Sequence, residues 1–128
     1  MRRCSGSPFN IDDMIGDHEE RPWGSWTVLD EGAGYKVKRI LVLPHSRLSY
    51  QTHEHRSEHW VVVSGKATCI LDGEESVAGP GDCVDVAIGQ KHRICNAEDE
   101  DLHIVEVQRG DYCGEDDICR HEDDYDRA

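Results

Sequence analysis

The stretch LSYQTHEHRSEHW, residues 48–60, places three histidines, two glutamates and a glutamine in thirteen positions. Imidazole nitrogens with carboxylate and amide oxygens make a mixed set that suits a divalent transition metal. Composition alone also fits a solvated loop, so spacing must decide. Side chains in a strand alternate between its two sides. Arg47, Ser49, Gln51, His53 and His55 therefore share one side if a strand runs that far. After a break, Glu58, Trp60 and Val62 share a side, and His59 points to the outer wall. Farther on, His92, Ile94 and Asn96 stand together.

The elements that must position these residues are short strands. SWTVL, YKVKRILVL, HWVVVSG, KATCILDG, CVDVAI, HRICN and LHIVEVQ are β-branched or alternating runs separated by turn residues. Many such strands in 128 residues predict one all-β domain, an antiparallel barrel or sandwich, from about Arg21 onward. LDGE at 71–74 is a two-residue hairpin signal, and Gly65 is expected to turn HWVVVS back into KATCIL. Residues 1–20 lack a sustained period and read as a loose arm preceding a single domain over 21–128. Only GEDDICRHED, within 106–128, could form a helical turn.

The net charge of −13 is concentrated: residues 98–128 carry thirteen acidic and three basic side chains, a balance of −10. Nucleic acid and anionic membrane are poor partners for such a chain. The acidic tail is expected to lie outside the barrel and serve solubility. No run is apolar enough for a membrane span or a secretory signal, so a cytoplasmic location is the expectation. The six cysteines form no C-x-x-C pair, which argues against a thiolate zinc site and a disulfide framework. Cys69, Cys83 and Cys95 sit in strand-like runs and read as small core residues.

Two spacings resemble the paired motifs of the cupin barrel. Gly81-x5-Ala87-x-Gly89-x2-His92-x3-Asn96 follows the second motif, with Ala87 where proline is usual. For the first motif, six residues separate Glu58 from Gly65, as the pattern requires. Pairing His53 with His55 leaves too few residues before Glu58. Pairing Gln51 with His53 leaves four, and puts His45 at the motif's glycine. The resemblance thus implies a metal site of Gln51, His53, Glu58 and His92, open to water or substrate oxygens. It implies one divalent metal, zinc foremost, with manganese, iron, cobalt or nickel as alternatives.

More closely, RPWGSW, YKVKRILVLP, LSYQTHEHRSEHWVVVSGKA and VEVQRGDYCGEDDICRHEDDY resemble the cupin domain of type II phosphomannose isomerases. That domain usually forms the C-terminal part of enzymes that are also mannose-1-phosphate guanylyltransferases. The Gly-rich nucleotide-binding segment is not among these residues, so the domain is read as standing alone and guanylyl transfer is not expected of it. The resemblance implies interconversion of mannose 6-phosphate and fructose 6-phosphate. Such a reaction needs a metal to stabilise charge on two sugar oxygens, a base to move a proton, and cations for the phosphate. His55 is the first candidate base, with Glu106 and Lys38 in reserve. Lys36, Arg47 and Arg56 are candidate substrate contacts. The two lysines share a face with Ile40 and Val42, and inward and outward readings of that face are evenly balanced. A sugar-phosphate-binding module without catalysis, and another metallo-cupin enzyme such as a dioxygenase, are the competing functions. An unpaired β-edge favours a homodimer.

Overall fold

The computed structural model describes residues 15–124, which form twelve strands and no helix. They are β1 (His18–Arg21), β2 (Gly24–Gly32), β3 (Tyr35–Val42), β4 (Ser46–Arg47), β5 (Tyr50–Thr52) and β6 (Arg56–Ser64). There follow β7 (Ala67–Leu71), β8 (Glu74–Ala78), β9 (Cys83–Val86), β10 (His92–Asn96), β11 (Leu102–Gly110) and β12 (Cys119–Glu122). All pairings are antiparallel. One sheet has the order β1-β2-β3-β11-β6-β9; the other runs β12-β5-β10-β7-β8, with β4 also on β10. The expected all-β architecture is what the chain adopts, and the inner faces of the two sheets enclose its core.

Alternation explains the burial. In β11, Leu102, Ile104, Glu106 and Gln108 are buried while His103, Val105 and Val107 are less so. Lys36, Lys38, Ile40 and Val42 face inward from β3, and Arg56, Glu58, Trp60 and Val62 from β6. The apolar half of these sets joins Val28, Ala67, Cys69 and Ile94 in one core cluster. Each large side chain fully buried there contributes about 1.5–3 kcal/mol of hydrophobic stabilisation.

Several expectations are corrected. The domain begins before Arg21, because His18–Arg21 pairs with β2; residues 1–14 of the expected arm lie outside the described residues. Gly65 closes no hairpin. β6 belongs to the first sheet and β7 to the second, and Gly65, at φ 90°, carries the chain between them. A side chain there would press on the Asp101 carbonyl, 2.7 Å from the Cβ position. Asp72 and Gly73 do form the expected tight turn, both with positive φ, between paired Leu71 and Glu74. Cys69 is buried, but Cys83 is exposed on an edge strand. The segment around GEDDICRHED forms no helix: it threads back to the barrel and ends in β12, paired with β5.

His45 adopts φ 55°, the left-handed conformation that the motif's glycine would adopt freely. A residue with a Cβ meets a cost there of about 1–2 kcal/mol, and the ring of His45 bonds Asp99 at 2.6 Å. Ala87 supplies an N–H that proline lacks, and it donates to the Gln90 side chain at 2.9 Å.

Candidate metal centre

β5 ends at Thr52 and β6 begins at Arg56, so the intervening loop is free to aim His53 inward. Nδ1 of His53 lies 2.6 Å from the Asp117 carbonyl oxygen, and Nδ1 of His92 lies 2.9 Å from that of Gln90. A carbonyl only accepts, so both rings carry hydrogen on Nδ1 and present an Nε2 lone pair. The two Nε2 atoms face each other at 3.1 Å. Glu58 Oε2 is 3.0 Å from His53 Nε2, and Glu58 Oε1 is 3.7 Å from His92 Nε2. Ligand-type atoms of these three buried residues all lie within 4.8 Å of one another. Two lone pairs pointed at each other beside a carboxylate are relieved by a proton or a cation between them, and the donor set fits a divalent metal.

Electrostatics favour the deprotonated ligands. Burial alone would raise the Glu58 carboxyl, but the adjoining Arg56 guanidinium, foremost among its neighbours, outweighs burial and holds the group well below the usual range. Burial lowers His92, which keeps it neutral as a metal ligand must be. The Arg56 guanidinium donates to Glu58 Oε2 at 3.0 Å and stands 3.2 Å from His53 Nε2. Trp60 Nε1 donates to Glu58 Oε1 at 3.0 Å, fixing the carboxylate from the core side.

Gln51 faces His92 across the β5–β10 pairing and lines the same cavity as Glu58 and His92. Its amide nitrogen donates to Ser49 Oγ at 2.9 Å, leaving the oxygen as the ligand-type atom. His55 does not share that face. The strand stops before it, alternation restarts at Arg56, and the ring lies half exposed beside Asp111 at 3.4 Å. It lines an outer groove with Tyr112 and Asp116 instead. Arg47 also points away, forming a paired contact with Asp124 on the surface.

The cavity, about 90 Å³, is floored by Trp26, Ile40 and Ile94 and walled by Lys38, Arg56, Glu106 and Gln108. Lys36 and Lys38 face inward, resolving their even balance; their side chains are 0% and 4% exposed. Lys38 Nζ sits 3.9 Å from the centroid of the Trp26 ring. Burial, reinforced by the nearby Glu58 charge, raises the Glu106 carboxyl to about 8. Gln108 Nε2 donates to Glu106 at 2.7 Å, while the buried Gln108 Oε1 has no hydrogen-bond partner among the described residues.

Two residues of this site escape a reading from composition. Glu115, from the acidic segment expected to lie outside, pairs with Lys38 inside the cavity. Asp117 accepts the His53 ring hydrogen through its carbonyl, and its carboxylate accepts the N–H groups of Glu54 and His55, each at 2.9 Å. The signal that could have found them is GEDDICR itself, a motif of the resemblance that general acidity masked.

The family described as "Mannose-6-phosphate isomerase C-terminal" matches residues 12–123. The chain belongs to this family. Among members' relatives, "Alginate biosynthesis protein AlgA" of Pseudomonas aeruginosa is 46% identical over 108 residues, spanning 84% of this chain and 22% of that protein. "Mannose-1-phosphate guanylyltransferase ManC" of Salmonella typhimurium is 43% identical over the same length, with the same coverage of 84% and 22%. The chain thus spans about a fifth of the length of the curated relatives it matches. Its fold is the cupin double-stranded β-helix. Capsular polysaccharide assembling protein CapF of Staphylococcus aureus superposes with TM-score 0.72 at 20% identity, over 82% of this chain and 34% of that one. A sugar phosphate isomerase of the cupin superfamily from Silicibacter pomeroyi gives 0.62 at 21% identity, over 66% and 58%.

Proposed function

We propose that this domain interconverts mannose 6-phosphate and fructose 6-phosphate, with one divalent metal, zinc first among the candidates, held by Gln51, His53, Glu58 and His92. The observation that carries the reading is the His53–Glu58–His92 cluster, whose Glu58 and His92 line one cavity with the buried Glu106 carboxyl and the buried cations Lys38 and Arg56. Membership of the mannose-6-phosphate isomerase C-terminal family supports it.

The reaction moves a hydrogen from C2 of the aldose to C1 and another from the C2 hydroxyl to the C1 oxygen. The metal would supply positive charge beside those two oxygens as electron density gathers on them. Glu106 is the group we assign to the carbon-bound proton. Raised to about 8, it can both take and return a proton near neutrality. Gln108 orients it, the hydroxyl proton passes between the two neighbouring sugar oxygens, and Lys38, opposite Glu106 in the β3–β11 pairing, joins the cations that face the phosphate. Arg56 and Lys36 supply charge for the phosphate. His55 and Arg47, aimed outside the cavity, take no part in this scheme.

The test is a metal assay coupled to mannose 6-phosphate turnover. A chelator should abolish turnover and a divalent metal restore it. Glu106→Gln should lose about 10²–10⁴ in rate with metal retained. His92→Ala should lose metal and turnover together, Gln51→Ala should hold metal more weakly, and His55→Ala should keep it. Metal-replete protein that binds mannose 6-phosphate without converting it would establish a binding module instead.

A further inference from the structure

Among the described residues, three of the buried cations come from neighbouring strands of one sheet, β3 and β6, and the strands balance them imperfectly. Lys36, Lys38 and Arg56 are all buried. Buried cations need anionic partners. Of the carboxylates on β6 and β11, Glu58 accepts from Arg56 and Trp60, and Glu106 accepts from Gln108. Lys38 is instead matched by Glu115, which comes from the segment between β11 and β12. Its carboxylate binds Lys38 and lies 3.9 Å from Lys36 Nζ.

The fastening of that segment is uneven. Lys36 Nζ donates to the Cys113 carbonyl at 2.6 Å, and Arg56 Nη1 to that of Gly114 at 3.3 Å. On the other side, Asp117 holds the N–H groups of Glu54 and His55 and the His53 ring. Main chain is therefore pinned on both flanks of Glu115, and none of these bonds uses the Glu115 side chain. That side chain is 33% exposed, so it can swing outward while the segment stays seated.

We propose that Glu115 is an internal competitor for a phosphate subsite: a phosphate monoester binds Lys38, Lys36 and Arg56 by displacing the Glu115 carboxylate from a segment that otherwise stays in place. The proposal rests on reading the cavity as a sugar-phosphate site. The exchange is chemically sensible in one direction. A phosphate monoester brings about −1.5 to −2 charge and three acceptor oxygens where the carboxylate brings one charge and two. Neutral sugars gain nothing from the exchange. The cavity thereby stays charge-balanced when empty and still discriminates for the phosphorylated ligand.

The experiment is calorimetric titration of the metal-loaded full chain with inorganic phosphate, and separately with mannose, for wild type, Glu115→Gln and Lys38→Met. Glu115→Gln is expected to bind phosphate about tenfold more tightly, about 1.4 kcal/mol, with mannose binding unchanged; Lys38→Met is expected to lose phosphate binding. Folded Glu115→Gln protein that binds phosphate no more tightly than wild type overturns the proposal. Should that variant not fold, wild type decides: the Lys38 ammonium resonance must shift on adding phosphate while amides 113–117 keep their exchange protection, and a resonance that stays put overturns it. Tighter phosphate binding without sugar turnover would leave this proposal standing and remove the isomerase reading. Turnover with unaltered phosphate affinity would do the reverse.

Discussion

Three neighbouring strands, β3, β11 and β6, change character halfway along, and their two ends make an instructive pair. Toward one end the cross-strand rows are Val42–Leu102 and Ile40–Ile104–Val62; toward the other they are Lys38–Glu106–Trp60 and Lys36–Gln108–Glu58. Alternation and burial are alike in both halves, with one bulge in the β11–β6 ladder between His103 and Ile104. Only side-chain chemistry differs. The apolar end stabilises the fold in proportion to area removed from water. The polar end sets desolvation against pairing, a near-cancellation that contributes little net stability. Periodicity thus says which residues are inside; their identity says whether the inside is core or site.

The separation can be broken from either side. The largest effect belongs to the apolar end: Leu102→Ala should cost about 2–5 kcal/mol, seen as a lower denaturant midpoint, with metal affinity in the folded fraction unchanged. A fall in metal affinity would mean the halves are coupled. At the polar end, Asp117→Ala removes the clamp on the loop carrying His53 and should weaken metal binding about 10–100-fold, read by chelator competition, with a far smaller change in midpoint.

Next comes a pH effect. Glu106 has its folded pKa raised to about 8 from an ordinary 4.5, so the folded state binds this proton more tightly than the unfolded state. Its stabilising contribution is complete below about 4.5 and is lost as pH rises through about 8. Metal-free wild type should lose stability over that window, and Glu106→Gln should flatten the loss in thermal melts taken from pH 5 to about 9. The smallest effect is that of Arg47→Ala. Its partner Asp124 is exposed, and surface pairs contribute under about 1 kcal/mol; both midpoint and metal affinity should barely move.

Where an uninterrupted strand carries the alternation, the sequence is a sufficient guide. Glu58 and Trp60 inward with His59 outward, and His92, Ile94 and Asn96 together, follow from it and are found so. Motif spacing likewise gathers His53, Glu58 and His92. Legibility fails where the chain leaves the strand. His55 falls in the break between β5 and β6, so counting by twos carries across a gap in which no such rule operates. Lys36 and Lys38 are ambiguous because only their partner decides whether they can be buried. That partner, Glu115, lies 77 positions from Lys38, in a stretch whose overall acidity looks like a solvated tail.

That same distance gives the protein a timetable. As the chain is made, Lys36, Lys38, Arg56 and the metal-binding loop emerge well before Glu115 and Asp117 do. At about 5–20 residues per second, the interval between Lys38 and its counter-anion lasts on the order of several seconds. During it the lysines have no carboxylate from this segment and His53 lacks its backbone acceptor. A lysine-bearing interior is then better left hydrated than closed. The β2–β3 hairpin can pair early, but β3 and β6 are joined only when β11 inserts between them, and Glu115 follows five residues behind, so the polar end closes with its counter-anion already at hand.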